Sequence, residues 1–158
     1  MSTPQDIYYK KTLTFRAWKR ELRFKVSQGL FSSFDIDKGT RLLLRTIVEA
    51  GYRDFTRVLD LGCGYGPIGL MLKSLYPAAD VHMVDRDALA VDYSRQNAEL
   101  NGLTDIETYA SLGYDDITRR DFDLIVSNIP GKAGTTVITS LLQDAGRYLA
   151  PGGMAAIV

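Results

Sequence analysis

Three short stretches hold residues whose types and spacing can do chemistry. The first is Val58-Leu59-Asp60-Leu61-Gly62-Cys63-Gly64-Tyr65-Gly66-Pro67. Glycines at alternate positions after an apolar run make a tight turn that lets the backbone approach a ligand. Pro67 suits the first position of a helix, where its missing N–H is no loss. The dinucleotide fingerprint Gly-x-Gly-x-x-Gly fails, because Pro67 stands where the third glycine belongs. Asp60, at the strand end, would repel a pyrophosphate docked on the helix N-terminus and would suit a cation. The second stretch ends in Asp85, roughly 20 residues beyond the turn, where an open α/β sheet puts an acid on ribose hydroxyls. Asp87 can cap the next helix, leaving Asp85 free for that role. The third is Ser127-Asn128-Ile129-Pro130, at the end of another apolar run. An amide oxygen and a backbone carbonyl there can accept both N–H bonds of an amine, although Asn128 can also serve as a turn residue bonded to its own backbone.

These stretches need a scaffold, and the hydrophobic pattern supplies one. Residues 58–61, 81–85, 106–110, 123–126 and 154–158 read as strands. Between them, Pro67 opens a helix with Ile68, Met71, Leu72 and Leu75 on one apolar face. Another runs from Asp87 to Leu100, with Leu89, Tyr93 and Leu100 in line, and stops at Asn101-Gly102. A third uses Val137, Ile138, Leu141, Leu142, Ala145 and Tyr148 as its inner face. Upstream, residues 8–18 and 21–26 alternate apolar and polar, predicting a hairpin joined by Lys19-Arg20. A loop over 29–35 then leads to a helix that Asp37 can cap, carrying Leu43, Leu44, Ile47 and Val48 and closed by Gly51. Strands alternating with helices predict one α/β domain with no repeat or linker. Residues 1–34 form a hairpin and loop packed on a ligand-binding domain at 35–158.

The glycine turn with Asp60 and Asp85 resembles motif I and the ribose acid of class I S-adenosylmethionine (SAM)-dependent methyltransferases. SAM carries a sulfonium and an ammonium and no phosphate, in accord with the charge argument. The phrase Gly29-Leu30-Phe31-Ser32, followed by Ile36-Asp37-Lys38-Gly39-Thr40-Arg41-Leu42-Leu43-Leu44, is similar to the lead-in of the small-methyltransferase-domain (MTS) family, which includes ribosomal RNA guanine-N2 methyltransferases. The resemblance implies a Rossmann-like class I methyltransferase sheet with helices on both faces, preceded by an N-terminal β-hairpin. It implies SAM as cofactor, with Asp60 on the ammonium directly or through water, the backbone at Gly62, Cys63, Gly64 and Gly66 against the methionine and ribose, and Asp85 with Arg86 at the ribose. Phe31, Asp37 and Thr40 would close over the methionine end and the target. Asn128 and Pro130 match the family's Asn-Pro-Pro-aromatic motif, which positions an exocyclic amine. Ile129 and Gly131 depart from that motif, so stacking on the target must come from elsewhere, such as Phe31 or Phe34. Lys132 can meet a phosphate. The acidic residue that usually holds adenine is replaced by Ser111, whose hydroxyl, or else a backbone amide, can still hydrogen-bond the adenine. The family continues with two more strands and a helix, so C-terminal strands are expected to be missing. The implied reaction is methylation of an amine, guanine N2 in RNA foremost. A protein glutamine, a small molecule, or SAM binding without catalysis are the alternatives.

Composition sets the remaining bounds. The 158 residues make one domain, and 46% apolar residues suffice for a core. No apolar run is long enough to span a membrane. The start, Met-Ser-Thr-Pro-Gln-Asp, lacks a basic-then-apolar pattern, so no signal peptide is expected. One cysteine, Cys63, excludes an internal disulfide and a cysteine-rich zinc site. The single histidine, His82, reads as a packed strand residue, and no metal ligand set is expected. A cytoplasmic protein follows. Net charge is zero, but Lys10, Lys11, Arg16, Lys19, Arg20, Arg23 and Lys25 face only Asp6 and Glu21 in residues 1–30. That asymmetry suggests a basic arm for a polyanion such as RNA, or a solvated hairpin face whose lysines discourage edge pairing.

Overall fold

The computed structural model describes residues 6–52 and 54–158. Met1–Gln5, in the stretch read for a signal peptide, lie outside the described residues. Two strands open the chain, β1 (Tyr9–Ala17) and β2 (Arg20–Ser27), followed by helix α1 (Lys38–Glu49). Strand β3 (Arg57–Leu61), helix α2 (Pro67–Leu75), strand β4 (Asp80–Asp85), helix α3 (Ala88–Leu100) and strand β5 (Ile106–Ala110) come next. Strand β6 (Phe122–Ser127), helix α4 (Thr135–Tyr148) and strand β7 (Leu149–Ile157) complete it. The five later strands form one sheet in the order β5-β4-β3-β6-β7, parallel throughout, and β1 and β2 form a separate antiparallel pair. This is the Rossmann-like sheet with its preceding hairpin. Chain direction across the sheet reverses between β3 and β6, the switch point beyond which such folds bind ligands.

Both faces of the sheet are covered. One core joins Val58, Val81, Met83, Leu124 and Val126 to α1, α2, α3 and the inner face of the hairpin. The other joins Leu59, Leu61, Val84, Phe122 and Ile125 to Tyr114, Ile117 and Ala145 of α4. The alternation along β3 puts Val58 and Asp60 on the α2 side. The hairpin obeys the same period: Leu13, Phe15, Leu22, Phe24 and Val26 are buried, while Thr12 faces Lys25 and Arg16 faces Glu21 outside. Its turn is Trp18-Lys19, one residue earlier than the alternation suggests.

A helix pairs the hairpin's free edge. Arg23 and Lys25 turn their backbone groups away from β1, and two asparagines of α3 meet them. Asn101 accepts from Arg23 N at 2.8 Å and donates to Arg23 O at 2.7 Å; Asn97 accepts from Lys25 N at 2.7 Å and donates to Lys25 O at 3.0 Å. Four helical residues rise about 6 Å and two strand residues about 6.8 Å, so the repeats match. The outward edge of β2 is thereby satisfied without another strand.

Two helices differ from the pattern read in the sequence. Residues 67–73 of α2 are buried on every side, because α2 lies between sheet, hairpin and α1 rather than at a surface. Even Lys73 is buried, its ammonium donating to Ala79 O at 2.6 Å. In α4, Val137 and Leu142 are about half exposed, and Ala145 is the buried residue. The apolar stripe is wider than the surface that α4 meets.

Close packing of α2 on the sheet depends on Gly69. A Cβ there would lie 2.6 Å from Met83 Sδ and 3.0 Å from Asp60 Oδ2. Gly69→Ala is therefore expected to destabilise the protein by about 1–3 kcal/mol, read as a lower urea midpoint with an unchanged m-value.

Candidate active site

The carboxyl ends of β3, β4 and β6 bring the three chemistry-bearing stretches together. In the glycine turn the alternation is two-sided. Cys63 and Tyr65 point inward and are buried, while a Cβ on Gly62 or Gly64 would meet nothing within 4 Å. Both glycines have positive φ, 71° and 57°, so a side chain would be strained and would fill the space over the turn. Gly66, at φ 98°, caps α2, and Pro67 follows as expected. Tyr65 is the anchor. Its ring packs edge-on against Phe24, its hydroxyl donates to Ser32 O at 3.3 Å, and its carbonyl accepts from Asn97 at 2.9 Å.

Asp85 stands at the rim. Its carboxylate accepts from Gly64 N and Asp87 N, both at 2.9 Å. Each oxygen keeps a lone pair, and the group is partly exposed. Asp87 caps α3 through Leu89 N, as its position suggests. Arg86 beside it is exposed.

Asp60 is fully buried beneath the turn, because the pleat turns it toward α2. Oδ2 accepts from Gly69 N at 2.9 Å, and Oδ1 has no partner among the described residues. Burial, with the nearby charge of Asp85, pushes its pKa up to about 7. The Cys63 side chain is buried too: its sulfur lies 3.4 Å from Ser94 Oγ, and burial raises its pKa well above the ordinary thiol value. Ser111 is buried, donating to Gly113 O at 2.7 Å and accepting from Asp116 N at 3.1 Å. Its hydroxyl shapes its own loop.

Asn128, at the end of β6, is held by a contact across 91 residues of chain. Asn128 Nδ2 donates to Asp37 Oδ2 at 2.7 Å and to Thr40 Oγ1 at 3.1 Å. A carboxylate only accepts, so this pair fixes which way the amide faces and leaves Asn128 Oδ1 as the acceptor. Asp37 also caps α1 through Thr40 N at 3.2 Å. Asp37 and Thr40 thus hold Asn128. Gly39 makes the approach possible, since a Cβ there would lie 2.8 Å from Asp37 Oδ2 and 3.3 Å from Asn128 Oδ1. Pro130 O is taken by Ala133 N at 2.8 Å, while Ile129 O has no partner among the described residues. Phe31 and Lys132 are exposed. Phe34 carries the Lys10 ammonium 3.3 Å above its ring.

At the opposite ends of the strands, Asp80 and Glu107 approach separate ring nitrogens of buried His82, at 3.5 and 3.7 Å. His82 packs edge-on against Phe122 and Tyr109. Arg57 already joins Asp80 to Asp121, so this cluster reads as an ion-pair network around a packed histidine.

Residues 21–158 match the family model described as methyltransferase small domain. The chain belongs to that family. Among curated small-domain relatives, the Bacillus subtilis protein YbxB is 35% identical over 149 residues, 91% of this chain and 71% of that protein. A Haemophilus influenzae ribosomal RNA small subunit methyltransferase C is 40% identical over 82% of this chain. Among solved structures, the Thermus thermophilus 16S rRNA N2 G1207 methyltransferase, in complex with AdoMet and guanosine, superposes with a TM-score of 0.85 at 29% identity over 98% of this chain. This chain spans 39% of the Haemophilus enzyme and 43% of the Thermus one.

The site fits SAM, the cofactor of this family. Gly62 and Gly64 leave an open cradle, Asp85 offers acceptors at its rim, and the buried Asp60 carboxyl, with Oδ1 unpartnered among the described residues, lies below. This acidic floor favours a cationic ligand. Among the described residues no helix is long and apolar enough to cross a membrane.

A ligand cation beside Asp60 binds its ionised form better. SAM affinity is therefore expected to rise with pH through about 7, by up to about tenfold between roughly pH 6 and 8. Titration calorimetry checks this, with Asp60→Asn flattening the profile. Stability without ligand runs the other way: the contribution of this raised acid is complete below its ordinary value near 3.8 and is lost as pH rises through about 7.

Proposed function

We propose that this chain transfers the methyl group of SAM to an exocyclic amine, guanine N2 of an RNA. The observation that carries the reading is the Asn128 amide, turned by Asp37 and Thr40 so that Oδ1 is left to accept an N–H beside the glycine cradle. SAM, when bound, supplies a methyl group already activated by its sulfonium. The chain's task is to hold the nitrogen lone pair in line, and orientation of this kind supplies about 7–11 kcal/mol. Asn128 Oδ1 accepts one N–H of the amine. Ile129 O is the second acceptor, since the turn to Ala133 takes up Pro130 O; Pro130 fixes the backbone that presents it. Together they draw the lone pair out of conjugation with the ring. Phe31, in the loop leading to Asp37, is the stacking ring that Gly131 does not provide. Lys132 meets a phosphate.

The cofactor is gripped by Asp85 with Arg86 alongside, and by the backbone of Gly62, Cys63, Gly64 and Gly66. Residues 1–34 act as the substrate-facing hairpin and loop on a SAM-binding domain at 35–158. An RNA substrate agrees with the activity named for the Haemophilus and Thermus relatives. The reaction belongs in the cytoplasm, where SAM and RNA meet.

Transfer of labelled methyl from SAM into separated RNA, protein and small-molecule pools from cells lacking this gene tests the reading. Label should enter RNA and be lost with Asn128→Ala at unchanged SAM affinity. Label confined to protein or small molecules would sink the RNA assignment. Asp37→Ala frees the amide to flip and is expected to lower kcat about 10- to 100-fold, an effect of about 1.4–2.8 kcal/mol, with little change in SAM affinity by calorimetry.

A further inference from the structure

Helix α1 and the β1–β2 turn enclose a groove of about 330 Å³ whose charged lining is entirely cationic: Arg16, Lys38, Arg41 and Arg45, with Trp18 beside them. Lys38, Arg41 and Arg45 fall at positions i, i+3 and i+7, so they share one face of α1. They extend about 10 Å along its axis. Lys38 and Arg45 have no side-chain partner among the described residues. Arg16 is held by Glu21 at 2.5 Å and Arg41 by Asp35 at 3.3 Å, both pairs exposed. The track begins at the reacting centre, since Lys38 follows Asp37, whose carboxylate holds Asn128.

The turn adds an aromatic face at a conformational cost. Trp18 and Lys19 have φ of 49° and 60°, the left-handed pair that two-residue hairpin turns usually fill with Asn-Gly. A bulky side chain is rarely found there, and such strain persists where the surroundings enforce it, often at binding sites. Here it sets the Trp18 ring, edge-on to Phe15 at 6.4 Å, at the end of the cationic face.

We propose that this groove binds a single-stranded RNA segment flanking the methylated base, with Lys38, Arg41 and Arg45 on its phosphates and Trp18 stacked on a base. The inference rests on the RNA methyltransferase reading and names the surface that would hold its substrate. Cations in a row give phosphate contacts, and an aromatic ring among them accepts any base.

The test is fluorescence anisotropy with a fluorescein-labelled, mixed-sequence RNA strand of about 12 nucleotides, within the site range of single-strand binders, over about 50–200 mM salt. Lys38→Ala/Arg45→Ala should weaken binding about tenfold at low salt. It should also reduce the slope of log affinity against log salt by about 1.4, the value for two phosphate contacts to a single strand. Trp18→Leu should weaken binding about fivefold or more without changing that slope. Calorimetry should give wild-type SAM affinity for every variant, showing that each is folded. Wild-type RNA binding with an unaltered slope in the double variant would overturn the groove and leave the methyl-transfer reading intact. Failure of the wild type to bind RNA, or preference for polyglutamate, would overturn the groove and the RNA substrate together.

Discussion

The buried amide of Asn97 joins the parts on which the site depends. It bonds β2 through both backbone groups of Lys25 and the glycine turn through Tyr65 O, and none of it reaches water. Losing such an amide would strand buried partners, each at about 1–3 kcal/mol. Through Tyr65 the constraint passes to Ser32, so one side chain sets the relation of hairpin, glycine turn and the loop before α1. The reacting amide is then held from α1. The cradle and the centre are thus fixed to a common frame.

Charge is segregated on this frame although the total is zero. Asp85 stands at the rim of the glycine turn and Asp60 beneath it, and burial pushes the Asp60 pKa up to about 7. Around the corner of α1 the groove side is cationic. A ligand with a sulfonium and a ligand with phosphates would each meet the opposite sign. Misplacing either one would bring like charges together in a region of reduced dielectric.

Much of this was legible in the sequence because it depends on local chemistry. Glycines at 62, 64 and 66 with Pro67 specify strand, turn and helix; Asp37 and Asp87 read as caps; alternation gives the hairpin. What escaped depends on distant neighbours. Periodicity makes Val137 and Leu142 look internal, but it carries no information on how much surface α4 meets. The burial of Asp60 against α2 follows from the pleat of β3 and the docking of Gly69, which lie beyond the local pattern. Asn97 and Asn101 look like ordinary polar positions, and only the docked β2 reveals them as its pairing edge. Gly39 and Gly69 carried a faint signal, as poor helix formers inside helices. The bonds from Asp37 and Thr40 to Asn128 cross 91 and 88 residues of chain, which no local pattern shows.

The contact between Asp37 and Asn128 also has a meaning in time. It closes a loop of 91 residues, and at about 5–20 residues per second a ribosome needs roughly 5–18 s to make that span. Through that interval α1 can form and the glycine turn can assemble on β3 and β4 while Asn128 has yet to be made. A nascent chain would gain its glycine cradle well before the Asp37–Asn128 contact. That contact becomes possible only after β6 has found its place in the sheet, so the direction of the Asn128 amide is set late, by topology.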